Sequence, residues 1–270
     1  MYASPVAALR LASVWPFSAF GGPPPAGWRP PSRATAADLA RTGGAAVRFV
    51  IPLVRAVRSS RGGGATLAAT TSAGGLREIR SRCLEVLRTL RLDLEVTGQH
   101  RVPADGGLLF MWNQTSHLDH LVLPAAIPRP FHSLFNNEIK GTPLYGPYLR
   151  SSGHFWIDRT DEAQWRVQLA GVAAHIRDGA CVLISPEGTR SWDGKLSALK
   201  RGAFILARQA GAPIVCVTIV GAHERLPRGT IAVRPGRIRV SFSAPIPVAA
   251  EDPTLEEQVA AAFERSMREP

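Results

Sequence analysis

Cysteine is scarce in this chain, which contains only Cys83, Cys181 and Cys216. An odd number of cysteines without metal-ligand spacing argues against a disulfide framework and against a zinc site, and it indicates a reducing compartment. Acidic residues are also in short supply, because 32 Lys and Arg stand against 21 Asp and Glu. The formal net charge of +11 predicts an anionic partner, such as nucleic acid, a phospholipid surface or a phosphorylated substrate.

Disorder over the whole chain is excluded, because 45% of its 270 residues are apolar and suffice for a sizeable core. Residues 1–75 differ from the rest, since they hold eight arginines and a single acid, Asp38. They include the Pro- and Gly-rich run Gly21–Gly27, which a regular element would not tolerate, so we expect residues 1–35 to be disordered. A secretory signal over Leu11–Phe20 is the alternative, although a proline interrupts that stretch.

A basic amphipathic pattern follows this stretch. Four arginines share one sector of a helix, namely Arg41, Arg48, Arg55 and Arg58. Apolar residues face the opposite side, namely Val47, Val50, Ile51 and Val54. The uncharged runs here are far shorter than the roughly 20 residues that span a bilayer. We therefore predict that residues 36–75 form a membrane-surface helix and a linker, with a surface helix packed on the protein's own domain as the alternative.

Residues 76–270 are predicted to form one compact α/β domain. Short apolar runs bounded by turn residues predict buried strands around residues 94–98, 107–112, 180–184, 213–219 and 238–242. Helical spacing or composition predicts helices beginning near Leu76 and over residues 117–126, 163–177 and 199–209. Alternation of buried strands with helices indicates a largely parallel sheet flanked by helices, preceded by the amphipathic segment.

Chemically useful residues follow two of these strands. Asn113–His120 places imidazoles beside a carboxylate, the pair of groups that can deprotonate a hydroxyl near neutral pH. Ser185–Arg190 places a glycine, which allows close backbone approach, beside a hydroxyl and a guanidinium that can bind phosphate. Taken singly each pattern is weak, because an Asp or Ser at such a position also serves as a helix cap.

Together, in order and spacing, these blocks resemble the glycerolipid acyltransferase family, which includes the 1-acylglycerol-3-phosphate acyltransferases. The resemblance covers roughly residues 93–245. Further blocks that match in order are Asn137–Lys140, Pro143–Pro147, Gly153–Arg159, Lys200–Ala203 and Ala212–Val215. The resemblance implies a glycerol-3-phosphate acyltransferase-like fold.

One position departs from the family pattern. The family's first block is Asn-His-x-x-x-x-Asp, and its His position is occupied here by Gln114, whose amide cannot act as a base. Asp119 aligns with the family's Asp. We therefore assign the catalytic roles to His117 and Asp119, with His120 and His154 as weaker alternatives for the base. The competing interpretation makes His117 a polar bystander in the first turn of a helix.

The resemblance also implies the substrate-binding residues. These are Arg159, Glu187, Gly188, Thr189 and Arg190. The two arginines resemble those that recognise phosphate, and Thr189 adds a hydroxyl donor. Structural roles are the alternative, since Glu187 could cap a helix and Arg159 could pair with a neighbouring aspartate in solvent.

The sequence thus predicts an acyltransferase that uses acyl-CoA or acyl-carrier protein and acylates a hydroxyl of a lysophospholipid, with no metal and no cofactor. We expect a peripheral protein on an anionic membrane surface, at the cytoplasmic face of the cell membrane. Nucleic acid is not an expected partner, because the compact domain lacks a basic recognition helix interleaved with aromatics. The alternative function is a catalytically impaired lipid-binding or regulatory relative, in which Gln114 has replaced the base.

Overall fold

One seven-stranded sheet organises the computed structural model, which describes residues 35–44, 70–141, 149–150, 152–230 and 232–269. The strands are β1 (Leu92–Thr97), β2 (Leu108–Trp112), β3 (His132–Asn136), β4 (Phe155–Ile157), β5 (Cys181–Ile184), β6 (Ile214–Val220) and β7 (Gly236–Phe242). Their order across the sheet is β1-β7-β6-β2-β5-β3-β4. Among the described strands, β6 and β7 pair antiparallel and the other neighbours pair parallel. The predicted α/β fold with a largely parallel sheet is confirmed.

Helices cover both faces of this sheet. They are α1 (Ala73–Thr89), α2 (Asp119–Ala126), α3 (Glu162–Arg177), α4 (Arg201–Ala210), α5 (Ala222–Arg225) and α6 (Leu255–Arg268). Short 3-10 turns lie at Gln99–Arg101 and Asn137–Gly141. Among the residues that the structure describes, no helix has both the length and the apolar character needed to cross a bilayer.

The central strand β2 explains how the core is divided. Its five residues are all buried, and alternate side chains point to opposite faces of the sheet. Leu108 and Phe110 pack in the cluster that contains α1 and α2, whereas Leu109 and Met111 pack in the cluster that contains α3, α4 and α6. A strand buried on both faces needs a continuous apolar run, which is why the sequence pattern identified it.

The compact domain begins earlier than the predicted residue 76. Ser72 caps α1, because its side chain accepts the backbone N–H of Gly75 at 3.1 Å. Thr70 exchanges backbone and side-chain hydrogen bonds with Phe131 at 2.8 and 2.9 Å. The last residues of the predicted linker are therefore part of the domain.

Residues 36–44 are helical, within the predicted amphipathic segment. Thr35 and Asp38 form a reciprocal cap, in which each side chain accepts the other's backbone N–H. Thr42 Oγ1 accepts the backbone N–H of Val233 at 2.9 Å and so ties this helix to the domain. Residues 1–34 and 45–69, which include Arg48, Arg55 and Arg58, lie outside the described residues, so disorder and membrane contact stay predictions there.

Candidate active site

Three loops meet at one edge of the sheet. Strand β2 pairs parallel with both β5 and β6, so the carboxyl ends of these three strands point the same way. The segments that leave them are called the first, second and third loops, and they cover residues 113–118, 185–200 and 221–235 without residue 231. The third loop contains α5. Sites in α/β proteins form where such loops converge, and here the two chemically useful sequence blocks are brought together.

The loop after β2 is fixed at two points. The Asn113 side chain donates to the carbonyl of Ile219 at 2.9 Å and accepts the N–H of the same residue at 2.7 Å, which attaches the loop to β6. The Ser116 hydroxyl donates to the carbonyl of Leu226 at 2.8 Å. His117 follows Ser116 directly, and its side chain is only 8% exposed. The ring therefore projects from a backbone that is immobilised on both sides.

Asp119 is the first residue of α2 and is fully buried. Its carboxylate accepts the backbone N–H groups of Thr115 at 2.9 Å and Ser116 at 3.1 Å. Burial raises the pKa of Asp119 to about 7, while these two N–H groups and the charge of Arg190 oppose the rise. The contacts show Asp119 holding the shape of the loop that carries His117.

Glu187 joins the first loop to the second. One carboxylate oxygen accepts the N–H of Gln114 and the other accepts the N–H of Ser197, each at 2.7 Å. A third link runs from the N–H of Ser191 to the carbonyl of Gln114 at 2.8 Å. Burial raises the pKa of Glu187, and the two backbone donors lower it. These contacts give Glu187 an organising role, although sequence reasoning placed it among the substrate-binding residues.

Gly188 lies where two basic side chains come close to the backbone of the second loop. Its φ of +65° lies in the left-handed region, and a Cβ there would lie 3.1 Å from Arg159 Nη1 and 3.2 Å from Lys200 Cδ. Arg159 Nη1 donates to the carbonyl of Gly188 at 3.1 Å. Thr189 is half-buried beside it. The structure thus brings Arg159 to this loop and adds the ammonium group of Lys200, to which sequence reasoning gave no role.

Arg190 lies deeper, at 6% exposure. Burial, followed by the positive charge of Arg228, lowers the pKa of Arg190 to about 10, while the charge of Asp119 opposes this shift. Arg190 therefore stays cationic at neutral pH. Burial, with a smaller contribution from the positive charge of Arg190, lowers the pKa of His120 to about 4, so the His120 ring is neutral at neutral pH.

Arg228 was missed by sequence reasoning. It is buried, and its Nη1 donates to the carbonyl of Arg190 at 2.8 Å. The available signal was the turn sequence Leu226-Pro-Arg-Gly229, which follows a buried strand as the other two blocks do. Among the described residues, no group of three or more His, Cys, Asp or Glu is arranged to hold a metal ion.

His154, one of the alternative bases, makes contacts that support the sheet. Its Nδ1 accepts the backbone N–H of Ser133 at 3.2 Å, and its ring lies edge-on to Phe135 with centroids 5.3 Å apart. Burial, with a contribution from His132, lowers the pKa of His154 to about 3. A neutral ring that accepts a strand N–H stabilises the pairing of β3 with β4 rather than the loop after β2.

Replacing this ring tests that role through the pH dependence of stability. Below pH 6.5 the unfolded chain binds a proton at His154 that the folded chain excludes, so the folded state loses stability on acidification. His154→Asn keeps an acceptor for Ser133 and removes this proton. Between pH 6.5 and 5 we expect the wild type to lose about 1–2 kcal/mol more unfolding free energy than the variant, measured by urea titration. Equal losses in the two proteins would contradict the assignment.

The chain is similar in sequence to known acyltransferases. Residues 93–220 match the family model described as Acyltransferase. A 1-acyl-sn-glycerol-3-phosphate acyltransferase of Chlamydomonas reinhardtii is 32% identical over 146 residues, which are 54% of this chain and 44% of that protein. One from Cocos nucifera is 30% identical over 139 residues, covering 51% of this chain and 45% of that protein. The matches span less than half the length of these relatives.

A solved structure shows the same fold. The crystal structure of the 1-acyl-sn-glycerophosphate (LPA) acyltransferase PlsC from Thermotoga maritima superposes with a TM-score of 0.66. The superposition covers 86% of this chain and 96% of that one, at 20% sequence identity. At this identity the likeness establishes the architecture alone.

Proposed function

Because residues 93–220 match the Acyltransferase family model, we propose that this chain belongs to that family and transfers a fatty acyl group from a thioester donor to a hydroxyl of a lysophospholipid such as 1-acylglycerol 3-phosphate. The observation that carries the proposal is the bridge made by Glu187, whose two oxygens hold the loop of His117 against the loop of Arg190. We infer that the proposed base and the proposed phosphate-binding group are carried by loops that are tied together, as acylation of a phosphorylated alcohol requires.

The proposed reaction begins with proton removal. His117 accepts the proton of the acceptor hydroxyl while the oxygen attacks the thioester carbonyl. The new C–O bond forms, the C–S bond breaks, and the proton passes to the departing thiolate of coenzyme A or of acyl-carrier protein. Negative charge develops on the carbonyl oxygen in between, and backbone N–H groups or cationic side chains of the loops would stabilise it. The scheme uses no metal ion and no cofactor.

The acceptor's phosphate is assigned to the cationic side chains of the second loop. Arg159 is exposed beside Gly188, and the Lys200 side chain lies close to the same glycine. Arg190 provides a second guanidinium at the buried end of the loop. Guanidinium groups suit this role because two N–H donors can contact two phosphate oxygens at once.

A catalytically impaired lipid-binding or regulatory protein is the second candidate. Gln114 favours it, because an amide stands where the family has its base. The same phosphate contacts would then bind the lipid without turnover.

An acyl-transfer assay separates the two candidates. The full chain is incubated with palmitoyl-CoA and 1-acylglycerol 3-phosphate, the released thiol is titrated, and the lipid product is identified by mass spectrometry. Formation of a diacyl phosphate lipid in step with thiol release supports the enzyme. Absence of product with lysophospholipid, glycerol phosphate and neutral acceptors alike would favour the lipid-binding protein.

We further propose peripheral attachment to an anionic membrane surface at the cytoplasmic face. The heptad-spaced arginines of the N-terminal region support this, whereas Arg41 belongs to the helix docked through Thr42 and pairs with Asp38 at 3.0 Å. The membrane contact is therefore assigned to the residues that follow, with Arg48 and Arg55 as its cations.

The variant Arg48→Gln/Arg55→Gln tests this attachment. Each well-placed arginine contributes about 1 kcal/mol near an anionic surface, so we expect roughly 30-fold weaker binding to phosphatidylglycerol vesicles at low salt. Arg82→Gln/Arg166→Gln removes the same net charge from two exposed positions, each paired with an acid one turn earlier, and should bind like the wild type. Equal weakening by both double variants would show non-specific attraction and refute the assigned contact.

A further inference from the structure

Arg228 is buried at 4% exposure on the loop that leaves β6. Its Nη1 hydrogen-bonds the backbone carbonyl of Arg190, and its guanidinium carbon lies 4.0 Å from the centroid of the Trp192 ring. Arg228 therefore contacts the second loop on both sides of Ser191, at Arg190 and at Trp192. No part of the sequence resemblance assigns this residue a role.

The loop that carries Arg228 is itself held firmly. The carbonyl of Leu226 accepts the Ser116 hydroxyl, and the N–H of Val233 donates to Thr42. The N–H of Arg234 donates to the carbonyl of Arg225 at 2.8 Å. Because the backbone of this loop is held, the Arg228 side chain has little freedom. Its contact with the Arg190 carbonyl therefore fixes the direction in which the Arg190 side chain leaves the backbone.

Two buried guanidinium groups at close range are costly, because both charges lose hydration and repel one another. The hydrogen bond to the Arg190 carbonyl and the contact with the Trp192 ring offset part of this cost. An anionic group bound by Arg190 would offset more of it, because it would attract both guanidinium groups.

We propose that Arg228 is a positioning and specificity residue, which fixes Arg190 for contact with the acceptor's phosphate and adds positive charge that favours phosphate-bearing over neutral acceptors. The inference rests on the proposed function and deepens it. A purely structural role would lower activity on all acceptors equally. The proposed role lowers it selectively, and this difference can be measured.

The test compares two acceptors in the full-length protein. For Arg228→Met, which keeps the apolar stem and removes the charge, we expect the kcat/KM ratio of 1-acylglycerol 3-phosphate to 1-monoacylglycerol to fall about tenfold or more. The KM of the thioester donor should stay within about twofold. Arg228→Lys keeps the charge without the planar fork and should give an intermediate ratio. If Arg228→Met does not fold, as shown by its thermal melt, the lysine variant decides by the same ratio.

Arg225 is the matched control. It lies three residues earlier, and its Nη1 donates to the carbonyl of Pro235 on its own loop at 2.7 Å, whereas Nη1 of Arg228 donates to the carbonyl of Arg190. Arg225→Met should leave the acceptor ratio within about twofold. An unchanged ratio in both Arg228 variants, or an equal fall in Arg225→Met, would overturn the inference.

Calorimetric titration with sn-glycerol 3-phosphate measures the effect of Arg228 on anion binding without requiring acyl transfer. Binding by the wild type that weakens about tenfold in Arg228→Met supports the anion role even if no acceptor is acylated, in which case the proposed reaction alone fails. Turnover in the wild type with equal glycerol phosphate affinity in both proteins would overturn the role of Arg228 and leave the reaction standing.

Discussion

His117→Ala is expected to lower the turnover number about a hundredfold or more, the usual contribution of a positioned general base. The physical reason is the fixed backbone around this residue. The Asp119 carboxylate binds the N–H groups of Thr115 and Ser116, and the Ser116 hydroxyl both accepts the N–H of Leu118 and donates to the third loop. A ring attached to such a fixed backbone has less motion to lose when it meets the acceptor hydroxyl.

The control for this variant is His154→Asn, which changes a histidine outside the site and should retain wild-type turnover. Thermal melts establish that each variant is folded. Turnover that is indifferent to His117→Ala would contradict the assignment and make His120, beside Arg190, the next residue to replace.

A rescue experiment extends the first prediction. Gln114→His, placed in the His117→Ala background, restores the family pattern and should recover part of the lost turnover. The Gln114 backbone is held by Glu187 and Ser191, so the new imidazole would enter a fixed position. A wild type that is inert but becomes active through Gln114→His alone would support the lipid-binding alternative instead.

Arg190→Lys is the second large effect, expected to reduce kcat/KM for 1-acylglycerol 3-phosphate about a hundredfold. Lysine keeps the charge but loses the bidentate contact, and charged hydrogen bonds contribute about 1.5–3 kcal/mol each. The KM of the thioester donor should change less than about twofold. Steady-state kinetics with each substrate varied in turn gives both constants.

A matched arginine outside the site is Arg208, which makes a two-point contact with Glu256 at 3.1 and 2.9 Å between α4 and α6. Arg208→Lys makes the same chemical change and should leave both substrates' constants unaltered. Acceptor kinetics that are the same in Arg190→Lys as in the wild type would remove Arg190 from the site.

Parts of the fold were predictable because their burial is uniform. The central strands β2, β5 and β6 are covered on both faces and need unbroken apolar runs, which the sequence shows. Strands β3 and β4 were not predicted, since β3 alternates buried and half-buried residues and β4 has only three residues.

The start of α2 and the presence of α6 also differ from the sequence prediction. The predicted start of α2 at residue 117 is corrected to Asp119, because the side chain of that aspartate captures the N–H groups of residues 115 and 116 and folds them into a loop. Helix α6 was not predicted, although its sequence has the spacing of an amphipathic helix. Its buried residues Leu255, Val259 and Phe263 recur every four positions, which is typical of one helix face.

The sequence predicted the candidate site only at positions where the residue type itself restricts what the residue can do. A glycine with positive φ beside a guanidinium, as at Gly188 and Arg159, follows from the local pattern and the resemblance. Glu187 and Arg228 act through backbone groups far away in sequence, at Gln114 and Arg190 respectively. Such contacts arise from the parallel pairing of β2 with β5 and β6, which no local pattern contains.

We propose that this site acylates a phosphate-bearing acceptor and releases the thiol of the donor. A competition assay distinguishes acceptors within one reaction, with one labelled acyl-CoA and equimolar 1-acylglycerol 3-phosphate, lysophosphatidylcholine and 1-monoacylglycerol in the same mixed micelles. The label is expected to enter mainly the diacyl product of 1-acylglycerol 3-phosphate, with one thiol released for each ester formed. Label distributed equally among the three acceptors, or thiol release without any acylated lipid, would contradict it.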